Sequence, residues 1–259
     1  MAKGVKTIKF KGPYHPDMTV LGKRVTLLAD KEVTFEVNDW LPGTTAEEKK
    51  KPVVWIKQTA DRQGVIEKKA SAVGYKFKIA KKYCGNYYYY IEASLSGKRD
   101  SNTTGLYVKG WTEPRIIKSA WCKQRGGEDE RQSYVFSYGH IIHLRLDTEG
   151  LNGEKVFVDV YKVVEGGKGL KDDKLIFTYY NVDVVDGQIN LKIGNTYQWY
   201  GIIGKPKAKE EFYVRVKTAS GLEVTDGKDK IHARFLRIQN NVVSKGIESS
   251  VTNTPTKVG

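Results

Sequence analysis

The chain has 259 residues and a formal net charge of +14, with 29% charged and 39% apolar residues. That length fits one large domain or two of ordinary size. No run of about eighteen apolar residues occurs, so no membrane-spanning helix is expected.

The opening MAKGVKTIKFKGPYHPD is basic and lacks an apolar centre, so it does not read as a secretory leader. The expectation is a chain that stays in the cytoplasm, leaves by a route that needs no cleaved leader, or was cut from a longer one. Residues 1–110 hold 21 Lys+Arg and 11 Asp+Glu, or +10, and residues 111–259 hold 23 and 19, or +4. The excess permits an acidic partner. Its lysines are scattered, as in KFKIAKK and EEKKK, which also suits the solvent faces of strands. Cys84 and Cys122 have no metal spacing and no C-x-x-C pattern, which points to reduced, buried or incidental thiols.

In chain order, the basic arm KTIKFKGPYHP comes first. Ile8 and Phe10 alternate with Lys9 and Lys11. The arm suits two arrangements: a strand added along a partner, with Lys9 and Lys11 in contact, or strand A of a first sandwich. VTFEV (33–37) reads as strand B, with Phe35 or Val37 facing the core. TTAEEKKKP allows one helical turn before Pro52 stops it. KPVVWIKQ reads as strand C carrying Trp55, and YKFKI (75–79) as a further strand.

The block CGNYYYYIEASL then offers Gly85-x-Tyr87-x-Tyr89. This matches the strand-F signature of immunoglobulin-like sandwiches, with Tyr89 where a cysteine often stands and Trp55 as its strand-C counterpart. Alternation divides the tyrosines by face. Trp55, Tyr87 and Tyr89 are expected in the core. Tyr88 and Tyr90 point the other way, either as a partner-binding pair or beneath a neighbouring loop or the second unit.

Thr112-Glu113-Pro114 marks a boundary. The reading is all-β, with two tandem immunoglobulin-like β-sandwich domains over 1–110 and 111–240 and a polar tail or linker over 241–259. In the second, PRIIKSAW is strand A, GHIIHLRLDTEGL B, EKVFVDVYKV C, EEFYVRVKTASGLEV F and KIHARFLRI G. Strand C has no tryptophan, with Phe157 or Val158 near its place.

No catalytic constellation emerges. His140 and His143 are three apart on a predicted strand and face opposite ways. There is no zinc-protease, nucleophile-elbow or phosphate-loop pattern. No cofactor, metal or nucleic-acid motif is expected, and no enzyme.

One longer pattern runs through Gly105-Leu106-Tyr107-Val108-Lys109-Gly110, Trp121, Tyr138-Gly139-His140 and Thr148-Glu149-Gly150-Leu151-Asn152-Gly153. It resembles tandem immunoglobulin-like modules of Bacteroidota proteins that travel with type VI secretion spikes, over roughly residues 20–240. The resemblance implies a structural or adaptor role, with a spike-tip or toxin protein as partner. The alternative is an extracellular binding module, such as an adhesin or carbohydrate-binding sandwich.

Overall fold

The computed structural model describes residues 2–16, 23–100, 103–166, 171–204 and 207–240. The tail over 241–259 lies outside the described residues. The protein is all-β and divides into two compact units.

The first unit has eight strands: β1 (Val5–Lys11), β2 (Arg24–Leu28), β3 (Val33–Trp40), β4 (Val53–Thr59), β5 (Val65–Ser71), β6 (Tyr75–Phe77), β7 (Tyr89–Ser94) and β8 (Leu106–Trp111). One helical turn, α1 (Ala46–Lys49), precedes β4. Thr45 and Glu48 close a reciprocal capping box on it, which satisfies amides that a short helix leaves open. The strands form two sheets, in the orders β1-β3-β6 and β2-β8-β7-β4-β5. In immunoglobulin lettering these are A-B-E and A′-G-F-C-C′. The basic arm is β1, paired antiparallel with β3 from end to end. It is strand A, so the alternative of a free docking arm is corrected. Lys9 is exposed on it, and Lys11 is bound to Glu36 at 2.9 Å.

The core follows from the alternation. Phe35 on β3 is fully buried and lies 6.4 Å from Tyr75 and 6.0 Å from Phe77, both on β6. Trp55 from the opposite sheet stacks on Tyr75 at 6.1 Å. Tyr89 meets Phe77 at 6.5 Å, and Tyr87 meets Tyr89 at 5.1 Å. Trp55 and Tyr89 are buried in this cluster, with Tyr87 partly buried against it. The Trp55 and Tyr89 rings each pack on a ring of β6. Each such ring contributes about 1.5–3 kcal/mol by its burial.

The unit spans Met1–Pro114 and also takes in Glu149–Gly153. The boundary therefore moves from 110 to 114, and 149–153 leaves the second domain. Asn152 explains this. Its N–H donates to the Cys84 carbonyl at 2.8 Å, and its own carbonyl accepts from Asn86 and Tyr87. A side chain at Gly85, which has φ +142, would meet the Asn152 backbone at 2.5 Å. The glycine of the strand-F signature is thus required by a close backbone approach.

Among the described residues the second unit has nine strands: β9 (Arg115–Cys122), β10 (Phe136–Ser137), β11 (Ile142–Glu149), β12 (Lys155–Lys162), β13 (Lys174–Val185), β14 (Gln188–Ile193), β15 (Lys209–Thr218), β16 (Glu223–Val224) and β17 (His232–Gln239). They follow one path, β10-β17-β15-β12-β13-β14-β11-β9, with β16 beside β15. The twelve-residue β13 pairs with β12 over most of its length and with β14 at Val184 and Val185. It thereby serves as C′ and D in turn. The lettering then becomes A′-G-F-C-C′ and D-E-B-A, the order of the first unit with D added. In both units A′ runs parallel to G.

Strand C here presents Val156, Val158 and Val160 to the core, while Phe157 turns outward against Tyr180 at 5.4 Å. The large rings come from elsewhere. Trp121 on β9 donates its Nε1 proton to the Ala233 carbonyl at 2.7 Å. Trp199 ends a 3-10 turn, Thr196–Trp199, and packs 5.1 Å from Phe212. That turn continues into the helical turn α2 (Tyr200–Ile203), which the sequence reading lacked.

Truncating Trp55 to Ala should cost the first unit about 3–5 kcal/mol. Urea titration followed by tyrosine fluorescence checks this; a midpoint matching the parent protein would refute the aromatic layout. Deleting residues 1–12 should also lower the first unit's melting temperature by several degrees, because it removes a whole edge strand. An unchanged melting temperature would return the arm to a docking role.

Candidate interaction face of the first unit

The outward side of the A′-G-F strands carries the four-tyrosine block and its neighbours. The pleat sends Tyr87 and Tyr89 inward, so Tyr88 and Tyr90 face out. Their surroundings differ. Tyr88 is half-buried at the surface, with the Arg24 guanidinium 5.5 Å and the Lys109 ammonium 5.2 Å from its ring. Tyr90 is buried, which corrects its expected place in an exposed pair. Its hydroxyl accepts from the Gly105 N–H at 2.8 Å, its ring meets Tyr107 at 4.8 Å, and Arg62 lies 4.3 Å above it. The segment leading into β8 folds over that end of the sheet, and a Cβ at Gly105 would lie 2.3 Å from the Ile91 carbonyl.

Register extends the face. Arg24 stands opposite Tyr107, Thr26 opposite Lys109 and Leu28 opposite Trp111. Trp111 is 36% exposed, and the His15 ring lies 4.4 Å from it. The result is a row of partly exposed rings, Tyr88, Tyr107 and Trp111, interleaved with the cations of Arg24 and Lys109. Cations over ring faces hold both in fixed positions. Tyr, Trp and Arg are the residues enriched where proteins bind proteins. The sequence reading found Tyr88 but missed Arg24, Tyr107, Lys109 and Trp111. Alternation in LYVKGW carried the signal for the last three. Lys9 and Lys11, the other expected partner residues, lie on the A-B-E sheet and are not brought together with Tyr88.

Beneath the covered end lies a polar pair. Glu92 is fully buried on β7 and takes a 3.0 Å ion pair from Arg62, beside the fully buried Gln58. Burial raises its pKa, and Arg62 only partly offsets this. On the core face, Lys57 sits 4.4 Å over Tyr89 and 5.2 Å over Phe77, and burial lowers its pKa.

His140 is exposed and accepts from the Ser137 N–H at 3.2 Å, while His143 is half-buried on β11. Among the described residues no three His, Cys, Asp or Glu side chains gather as metal ligands. Burial pushes the Cys84 thiol up to about 12, far from a reactive thiolate. No helix among the described residues is long and apolar enough to cross a membrane.

No family model matches the chain, and no curated protein matches it. Among solved structures it is similar to a marsupial T cell receptor, at 11% identity over 90% of this chain and 72% of that one, with a TM-score of 0.25. It is also similar to CBD12 of CALX1.2, at 9% identity over 96% of this chain and 90% of that one, with a TM-score of 0.21. Scores this low carry no weight; strand order and register define the immunoglobulin-like sandwiches.

Two pH effects follow. Glu92 has a raised folded pKa, so its ionisation destabilises the unit as pH rises above the unfolded carboxylate value of about 4.3. Glu92→Gln should therefore gain stability relative to the parent at pH 7, and the gain should shrink on acidification to pH 4.5. A difference independent of pH in urea titrations would refute a buried charge there. In the second unit, the His232 ring nitrogen Nε2 bonds the Val224 carbonyl at 2.8 Å, and burial lowers its pKa. Its contribution is complete above about pH 6.5 and is lost as pH falls through the lower folded value. His232→Gln should flatten that acid-side loss in melting curves; an unchanged slope would count against it.

Proposed function

We propose that the protein is a non-enzymatic binding module that docks a protein partner on the outward A′-G-F face of its first unit. The observation that carries this is the row of Tyr88, Tyr107 and Trp111 interleaved with Arg24 and Lys109. It combines rigid amphipathic rings with positive charge, within a segment of net charge +10 (21 basic and 11 acidic residues). An acidic surface on the partner suits it, and that charge speeds encounter more than it deepens affinity. The finer form of the reading is an adaptor for a contractile, type VI secretion spike, with a spike-tip or toxin protein as partner and loading from the bacterial cytoplasm. Its support is the resemblance of the strand and turn residues described above.

A photocrosslinking amino acid in place of Tyr88, in cells that produce the protein, tests this. One discrete protein adduct is expected, and it should disappear when Arg24 and Lys109 are both changed to Glu. No adduct, a nucleic-acid adduct, or an adduct indifferent to the charge reversal would overturn the reading. Identification of the adduct as a spike or toxin protein would support the finer form.

A further inference from the structure

Strand β3 has two neighbours over only part of its length. β1 pairs with it from Thr34 to Trp40, whereas β6 pairs with it only from Val33 to Phe35. Among the described residues, the β6 side of β3 from Glu36 to Trp40 has no strand partner. The counterpart of β6 in the second unit, β14, is six residues long and has the end of β13 beside it. The first unit has neither the length nor the extra strand. Its chain turns from β5 through Ala72–Gly74 directly into the three-residue β6. Gly74, at φ +102, presses this turn so close that a Cβ would lie 2.6 Å from the Phe35 carbonyl. The rest of the β3 edge stays open.

A cavity of about 250 Å³ lies along that edge, walled by Val37, Trp40, Val53 and Trp55, with Lys49 and Lys51 among its lining residues. Val73, 88% exposed, also lines it. The Trp55 Nε1 proton is buried and has no hydrogen-bond partner among the described residues. Nearby carboxylates are occupied: Glu36 by Lys11, Glu47 by Lys50 and Glu48 by Lys3. Lys49 and Lys51 form no ion pair within 4 Å among the described residues, and the Lys49 charge acts at longer range on Asp39, which is itself paired with Lys6.

A space this size is smaller than the roughly 300–1,000 Å³ of cofactor and drug sites. It suits a single side chain delivered by a peptide. An unpaired strand edge is the usual template for strand addition, with backbone bonds supplying affinity and side-chain pockets supplying specificity. A further edge, β5, is exposed along its length but carries Lys68 and Lys69 in the manner of an edge guarded against pairing.

We propose that the β3 groove takes an extended acidic peptide segment of a protein partner. The segment pairs with the edge from Glu36 to Trp40. One large apolar side chain enters against Trp40 and Trp55, and a neighbouring carboxylate meets Lys49 and Lys51. The groove lies apart from the face bearing Tyr88, and the proposal does not depend on that face.

The test uses the full chain, labelled for amide NMR, and a blocked seven-residue peptide alternating valine and glutamate around a central phenylalanine. Saturable binding is expected, with amide shifts centred on Val37 to Trp40. Lys49→Glu with Lys51→Glu should weaken it about tenfold or more, as should replacing the peptide's glutamates by lysine. Both lysines are exposed, so folding should be retained. Tyr88→Ala with Lys109→Ala should leave the affinity unchanged. No saturable binding at millimolar peptide, equal binding of the lysine peptide, shifts centred on Val65 to Ser71, or loss of binding in the Tyr88 and Lys109 variant would each overturn the proposal.

Discussion

Phe35 is where the two sheets of the first unit meet. It is fully buried on β3 and touches both rings that β6 contributes, Tyr75 and Phe77. Those two rings receive Trp55 and Tyr89 from the opposite sheet. Two residues of β6 therefore couple the sheets, and the unit depends on the alternation that turns both inward. Because β6 is so short, the same economy leaves the β6 side of β3 from Glu36 to Trp40 without a strand partner among the described residues. The stabilising contact and the open edge are two consequences of one short strand.

The outer surface of the second sheet is the price of a long connection into β8. Gly105 at its end closes over Tyr90, while Tyr88 stays at the surface. The buried Glu92 carboxylate is tolerated because Arg62 supplies a charge-assisted bond, although burial still opposes its ionised form. Of the rings that remain accessible, Tyr88 lies between two cations, Tyr107 packs on Tyr90 and Trp111 packs on His15, so each has a neighbour that limits its motion. Surface aromatics ordered in this way lose little entropy when a partner covers them.

The two units reach one strand order with different residues. The first packs a strand-C tryptophan against tyrosines. The second fills its strand C with valines and brings Trp121 and Trp199 from a first strand and a 3-10 turn. What they share is the inward-outward period of each strand and the long-range pairing of A′ with G. Volume in the core is conserved by whatever element can supply it. Identity at single core positions is therefore a poor guide to a sandwich of this kind.

Alternation alone determined much of this protein. It set the all-β class, placed strands B, C and F of the first unit and A, B, C, F and G of the second, and sorted Tyr87 and Tyr89 from Tyr88 and Tyr90. These are local consequences of a two-residue period, which a single chain carries in full. The tertiary structure decided whatever depended on residues far apart in the chain. Tyr90 faces outward as its position requires, yet it is buried, because Gly105, Arg62 and Tyr107 close over it. Ile8 and Phe10 suited either an arm or a strand until pairing with β3 settled the choice. Glu149–Gly153 joined the first unit through backbone bonds from Asn152, and backbone groups are the same for every residue type. The row of Arg24, Tyr88 and Lys109 comes from β2, the residue just ahead of β7, and β8, and the pairing of β8 with both neighbours brings it together.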